Sequence, residues 1–410
     1  MREKPLRVAF FTDTYMEVDG VANTARQYEA YARRNRFPFL MLHGGYDQEK
    51  LVREGNFTRI ELPRSRFGFA LDRKHDFDLA FVRHLGRTEE LLREFGPDVV
   101  HITGPSDVGI LGALVAHRLH IPLLASWHTN LHQYAERRAL PLFFFLPREW
   151  RKPTGAWIRE MSFRLTARFY QIPRVLMAPN RELIDLLEKA TGKPCFLMAR
   201  GVDTELFRPT LRSRQGGPFT IGYVGRITVE KNVEMLVEVE RGLRAAGVDD
   251  YQFLIVGQGS SEEYLRANLK QKTLTGVLRG EDLARAYANM DVFLFPSKTD
   301  TFGNVVLEAM AAGTPALVTD EGGPQFIVRP GEDGFVCGKV EDFVHRAMDL
   351  RNHPAELEML RINARRHAEA ASWDGVFQAV YRAYEVTLNP PVRIGTSVSL
   401  KVPFRAQVKS

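Results

Sequence analysis

The chain has 410 residues, 44% of them hydrophobic and 26% charged, and a net charge of +6. That length exceeds one ordinary core and fits two domains of about 200 residues each, and the composition is globular rather than disordered or fibrous. Two cysteines, Cys195 and Cys337, lie far apart in apolar segments, which argues against a disulfide framework and against zinc-ligand spacing.

No run approaches the roughly 20 apolar residues that span a bilayer. The N-terminus has charges and then an apolar run shorter than a signal peptide's core, so a cytoplasmic protein is expected. Residues 6–12 form a short apolar run of the kind buried in a parallel sheet. Residues 13–22 then read as a loop before a helix starting near Asn23. Gly20 in this loop would let the backbone approach a phosphate or sugar closely, although a glycine here also serves the turn alone. Residues 37–42, 97–102 and 122–127 repeat the strand pattern with amphipathic stretches between them. Such alternation predicts a doubly wound parallel sheet, which binds ligands beyond the carboxyl ends of its strands. His128 follows one such end, placed either for chemistry or for a structural hydrogen bond. Its i, i+4 spacing to His132 has no acidic third ligand, so no metal site is expected.

Residues 137–174 differ from the rest, with nine Lys or Arg against two Glu. Phe143, Phe144 and Phe145 form an apolar knob, and Arg148 and Arg151 follow. Trp157, Ile158, Met161, Leu165 and Phe169 then recur at helical spacing. A segment lying on an anionic membrane surface has this pattern; a core-facing helix with a solvated basic face is the alternative. Consecutive exposed phenylalanines are otherwise costly, which favours the membrane. No nucleic-acid reader motif accompanies the basic residues.

Residues 198–218 lose periodicity and gain Gly, Pro and Arg. They divide an N-terminal domain, 1–198, from a second doubly wound domain, 219–371, with 199–218 as linker. A helix opened by Ser372 as cap follows over 372–388 and is expected to cross back to the first domain, leaving a basic tail, 389–410. In the second half, Arg226 and Lys231 bracket a strand-to-helix turn, where two fixed cations can hold a pyrophosphate. The stretch 303–313 reads as a helix whose start offers unpaired N–H groups and a positive dipole end to an anion. Glu308 on that helix can accept hydrogen bonds from two ribose hydroxyls. Together these features describe a seat for a sugar nucleotide.

The segments VDGVANT, SWHTN, YVGRITVEKNVEML, TGVLRGEDLARAYANMDVFLFPS, DTFGNVVLEAMAAGTPALVTDEGG and GEDGFV resemble family 4 of the retaining glycosyltransferases, which have the GT-B fold. The likeness runs to about Leu388 and is closest to lipid mannosyltransferases and sulfoquinovosyldiacylglycerol synthases. It implies that Arg226 and Lys231 bind the donor diphosphate and that Glu308 holds the ribose. Phe302, Gly303 and Asn304 would offer backbone groups to the sugar and phosphate, while Gly20 admits the diphosphate from the other domain. His128 would contact the sugar's 6-position, and Val277, Leu278 and Arg279 would line the base. Asp300 stands where the family has its first glutamate, eight positions before Glu308, so its contact with the donor hydroxyls would be shifted, water-bridged or selective for another sugar. The implied reaction is metal-independent transfer with retention, without a resident cofactor. The expected partners are a nucleotide sugar, a lipid or lipid-linked acceptor and the inner face of the cytoplasmic membrane. A soluble acceptor and a non-catalytic binding subunit are the alternatives.

Overall fold

The computed structural model describes residues 4–15, 20–45, 48–65, 69–72, 75–128, 148–214 and 216–389. Strands β1 (Val8–Thr12), β2 (Phe39–Gly45), β3 (Lys50–Glu54) and β4 (Phe57–Pro63) begin the first half. A separate ribbon of β5 (Phe69–Asp72) and β6 (His75–Phe77) follows. Then come β7 (Val99–Ile102), β8 (Leu123–Ser126), β9 (Val175–Ala178) and β10 (Cys195–Leu197). Eight of these strands form one sheet in the order β10-β9-β8-β7-β1-β2-β4-β3, parallel except for β3. The second half supplies β11 (Phe219–Val224), β12 (Tyr251–Val256), β13 (Lys272–Leu274), β14 (Val292–Phe295), β15 (Ala316–Thr319) and β16 (Gly334–Cys337). Their sheet is wholly parallel, in the order β13-β12-β11-β14-β15-β16.

The long apolar strands were legible because both sheet faces are covered, which makes their sequences continuous hydrophobic runs. The strand β3 is largely exposed and β10 and β13 have three residues each, so periodicity does not mark them. Two helix starts differ from expectation. The first helix begins at Gly20 itself and runs to Arg34. Near Lys231 there is only a 3-10 turn, Val229–Lys231, and the α-helix begins at Glu234. Asn232 separates them at φ 55°, a left-handed conformation that asparagine tolerates better than most residues.

In each sheet the order reverses beside the first strand, between β1 and β7 and between β11 and β14. A doubly wound sheet opens its ligand crevice at such a point. The loops after β11 and β14 carry Arg226, Lys231 and Asp300, so topology alone gathers them.

The C-terminal helix Trp373–Leu388 packs on the N-terminal sheet. Trp373, Phe377, Val380 and Tyr384 share a core with Phe10, Tyr28, Phe39 and Val175. Burying side chains of this kind contributes roughly 1.5–3 kcal/mol each. Ser372 caps the helix by accepting from the Gly375 N–H at 3.1 Å. The chain thus crosses between the halves twice, side by side, with the Val202 N–H donating to the Ala371 carbonyl.

The segment after the first crossing is pinned by charge. Asp291, at the foot of β14, accepts from Arg212 at 2.7 Å, Arg214 at 2.9 Å, Arg361 at 3.0 Å and the Thr220 N–H at 2.8 Å. Burial would raise its pKa, but the Thr220 N–H and the guanidinium groups outweigh that and hold it below the usual carboxylate range. Removing one member of a buried ion cluster costs about 3–5 kcal/mol. Asp291→Asn is therefore expected to lower the stability of the C-terminal half by about that much in urea denaturation at pH 7. A folded-state pKa below the unfolded one means stability present at neutral pH and lost as pH falls through the folded value, so the two proteins should converge below pH 4.

Candidate sugar-nucleotide site

The loop 296–303, between β14 and the helix Asn304–Ala311, is the centre of the site. Three contacts tie it to the turn after β11. Lys231 Nζ donates to both Asp300 oxygens at 2.7 and 2.8 Å, Thr299 Oγ1 donates to the Glu230 carbonyl at 3.2 Å, and Asn232 Nδ2 donates to the Pro296 carbonyl at 3.2 Å. Burial pushes Asp300 towards protonation, but the Lys231 ammonium beside it dominates and keeps the carboxyl below its ordinary value. Arg226, about half exposed, lies 3.6 Å from Glu230, and its carbonyl accepts from the Tyr223 hydroxyl.

The same loop is held from the N-terminal domain. Thr301 Oγ1 donates to the His128 carbonyl at 2.9 Å, and Asn180 Nδ2 donates to the Thr301 carbonyl at 2.7 Å. Asn180 also caps its own helix, its Oδ1 accepting from the Leu183 N–H. Gly303 follows at φ 102°, where a Cβ would be strained and would meet Pro324 Cγ at 3.0 Å, so the loop can turn into the helix here only with glycine. Across the cleft, Gly20 faces Asn304: a Cβ on Gly20 would lie 3.0 Å from Asn304 Nδ2. Two helix starts, Gly20–Arg34 and Asn304–Ala311, thus meet over the crevice, and both dipoles favour an anion there.

Glu308 lies one turn into the second helix and accepts from the Tyr287 hydroxyl at 2.9 Å. Burial raises its pKa to about 6, against the lowering effect of that hydroxyl. Val277 and Arg279 are exposed and Leu278 is half-buried, in the segment after β13. The Gly257 N–H donates to the Gly276 carbonyl and the Gly225 N–H to the Val256 carbonyl, which lines this segment up with Arg226 along one sheet edge.

The structure departs from expectation at His128. The residue is only 8% exposed, and both ring nitrogens are engaged, with Nη2 of Arg200 in the linker at 2.7 Å from Nδ1 and Ser126 Oγ at 2.6 Å from Nε2. The residue faces the donor loop through its carbonyl, not its imidazole. A strand-end histidine and its neighbours in sequence carry no signal for this, because Arg200 is 72 residues away.

The basic helix spans Arg148–Phe169. Its apolar positions, which periodicity groups together, split in two. Ile158 is buried and Phe169 packs on the core, while Trp157, Met161 and Leu165 point outward, Trp157 at 61% and Leu165 at 62% exposure. Phe143, Phe144 and Phe145, and the side chains of Arg148 and Arg151, lie outside the described residues. Among the described residues no group of three His, Cys, Asp or Glu could hold a metal ion, and no helix is long and apolar enough to cross a membrane.

Residues 18–206 match the family model for Glycosyltransferase Family 4, and residues 218–353 match that for Glycosyl transferases group 1. The chain belongs to glycosyltransferase family 4. It is 30% identical to a GDP-mannose-dependent alpha-mannosyltransferase of Mycobacterium tuberculosis, over 93% of this chain and 96% of the relative. It is 28% identical to the sulfoquinovosyl transferase SQD2 of Arabidopsis thaliana, over 90% of this chain and 71% of that one. Among solved structures, a sucrose-phosphate synthase of Thermosynechococcus elongatus superposes with a TM-score of 0.68 at 19% identity, covering 93% of this chain and 98% of the other. The fold is GT-B, and the protein is a nucleotide-sugar glycosyltransferase.

The family resemblance implies that Glu308 receives the donor's ribose hydroxyls, which it would do best when ionised, so on that expectation donor affinity should fall as pH drops through about 6. Calorimetric titration with the nucleotide sugar between pH 5 and 8 is expected to show that loss, with proton release on binding below pH 6. In Glu308→Gln the affinity should be weaker, by about 1.5–3 kcal/mol for a lost charged hydrogen bond, and independent of pH in this range.

Proposed function

We propose that this glycosyltransferase moves a hexosyl group from GDP-mannose or a UDP-hexose to a lipid or lipid-linked acceptor, with retention and without a metal ion, on the inner face of the cytoplasmic membrane. The outward line Trp157, Met161 and Leu165 carries the lipid part of this reading. These residues stand at i, i+4 and i+8 on one helix face, Ile172 just beyond is 58% exposed, and Arg164 and Arg168 flank them. An apolar stripe edged with arginines suits the boundary between acyl chains and anionic headgroups. The activities of relatives, GDP-mannose-dependent mannosyl transfer and sulfoquinovosyl transfer, support the donor class.

In the proposed chemistry the glycosyl C1–O bond to the β-phosphate breaks as the acceptor oxygen bonds to C1 on the same face. The acceptor's proton passes to the departing phosphate oxygen, so the products are the glycoside and a nucleoside diphosphate. Arg226 and Lys231 neutralise the charge that grows on the leaving group, and the N–H groups at the start of the Asn304–Ala311 helix add to it. Lys231 would then share its ammonium between Asp300 and the phosphate. Asp300, one methylene shorter than the family's glutamate, would reach the donor sugar from that position. Glu308 would hold the ribose and Val277 to Arg279 the base, and Gly20 would leave room for the diphosphate.

Two experiments test this. Purified protein with EDTA, GDP-mannose or UDP-sugars, and a total bacterial lipid extract should release nucleoside diphosphate only when one donor and the lipid are both present. Release with soluble saccharides alone would count against the lipid acceptor. Donor binding without turnover in any mixture would make the chain a binding subunit and turn attention to Asp300. In the second, Trp157→Glu and Leu165→Glu together should cut flotation with phosphatidylglycerol vesicles at least tenfold, given about 1.5–3 kcal/mol for each buried apolar side chain. An unchanged vesicle-bound fraction would remove the membrane from the proposal.

A further inference from the structure

A chain of buried polar groups runs from the donor loop through the N-terminal domain to the C-terminal helix. Arg200 Nη2 lies 2.7 Å from His128 Nδ1, His128 Nε2 lies 2.6 Å from Ser126 Oγ, and Ser126 Oγ lies 2.9 Å from His101 Nε2. His101 Nδ1 is 2.7 Å from the Tyr384 hydroxyl, which is 2.6 Å from that of Tyr28. Arg200, His128, Ser126, His101, Tyr384 and Tyr28 are all buried. Polar groups this far from water are retained in a fold only when their hydrogen bonds are complete.

One member sets the direction of the others. A guanidinium only donates, so His128 Nδ1 must accept, and the neutral ring carries its proton on Nε2. That N–H donates to Ser126 Oγ, whose own proton is then free for His101 Nε2. His101 in turn carries its proton on Nδ1 and donates it to Tyr384. Every bond from Arg200 to Tyr384 is therefore oriented by Arg200. The same guanidinium donates through Nη1 to the carbonyls of Met198 and Ala199, which holds it rigidly at the end of β10. At the other end, the His128 carbonyl is 2.9 Å from Thr301 Oγ1, next to Asp300 and its Lys231 partner.

We propose that Arg200 is a positioning residue for glycosyl transfer: it locks the His128 ring inward as one tautomer, and so sets the His128 carbonyl that grips Thr301 and the donor loop. The C-terminal helix enters the same arrangement through Tyr384, which makes the second chain crossing part of the site's support. The proposal rests on the family's transfer activity and is independent of the lipid acceptor. The titratable groups acting on the His128 ring are Arg200 and His101, and both, with burial as the leading cause, keep it unprotonated. Burial likewise holds His101 at about 3. Without Arg200, Nδ1 would lose its donor and the ring would be free to take the other tautomer, while burial would still keep it unprotonated.

The test combines a spectrum with kinetics. In the wild type, 15N NMR of histidine-labelled protein, with His128 assigned by loss of its signal in His128→Gln, should show Nδ1 unprotonated, Nε2 protonated and no titration between pH 5 and 8. The opposite tautomer, or titration near 6.5, would overturn the proposal whether or not any variant folds. For Arg200→Met, nucleotide release from the donor that supports turnover should show KM raised about tenfold or more and kcat/KM down about a hundredfold, the scale of a small misplacement of reacting groups. Arg200→Lys, which keeps a donor and a charge, should recover most of the activity. Wild-type KM in a folded Arg200→Met would refute the role.

Discussion

The grip on Thr301 is the constraint on which the rest of the site depends. The residue belongs to the C-terminal domain, yet its hydroxyl and carbonyl are both bonded to the N-terminal domain, to the His128 carbonyl and to Asn180. Asp300 immediately before it is bonded to Lys231, and Gly303 two residues later starts the helix that carries Glu308. Lys231, Asp300 and Glu308 therefore take their places relative to one small loop. Because that loop is fastened from both domains, the geometry of the cleft and the geometry of the donor seat are one quantity.

The site carries its charge in neutralised form. Lys231 is paired with Asp300, and Arg226 lies within reach of Glu230. An isolated buried ammonium would be costly, whereas a paired one is tolerable. In the proposed reaction an arriving diphosphate would take over part of the pairing, and the cationic contacts would strengthen as negative charge accumulates on the leaving group. Differential interaction of that kind lowers a barrier, while equal contact with the ground state does not.

The two domains are joined by more than a linker. The side-by-side crossings near Val202 and Ala371, the aromatic packing of Phe377 on Tyr28 at 4.4 Å, and the bond from Tyr384 to His101 make the last helix an element of the first domain. The ion cluster at Asp291 fixes the other end of the first crossing to the second domain.

Much of this was legible in residue order. Continuous apolar runs marked the central strands, and the DTFGNVVLEAM segment, with Arg226 and Lys231, marked the family. These signals are local, since a buried parallel strand, a glycine turn and a helix start each write themselves within about ten residues. The sequence could equally separate the basic helix from its surroundings, but not its two faces: a helical repeat says which residues share a side, and only the packing of Ile158 and Phe169 decides which side is inward. The roles of Asn180, Arg200 and Thr301, and the inward turn of His128, were decided by tertiary structure alone. They depend on hydrogen bonds between groups 72 to 173 residues apart, and a polar residue carries no mark in sequence of the partner that folding will bring to it.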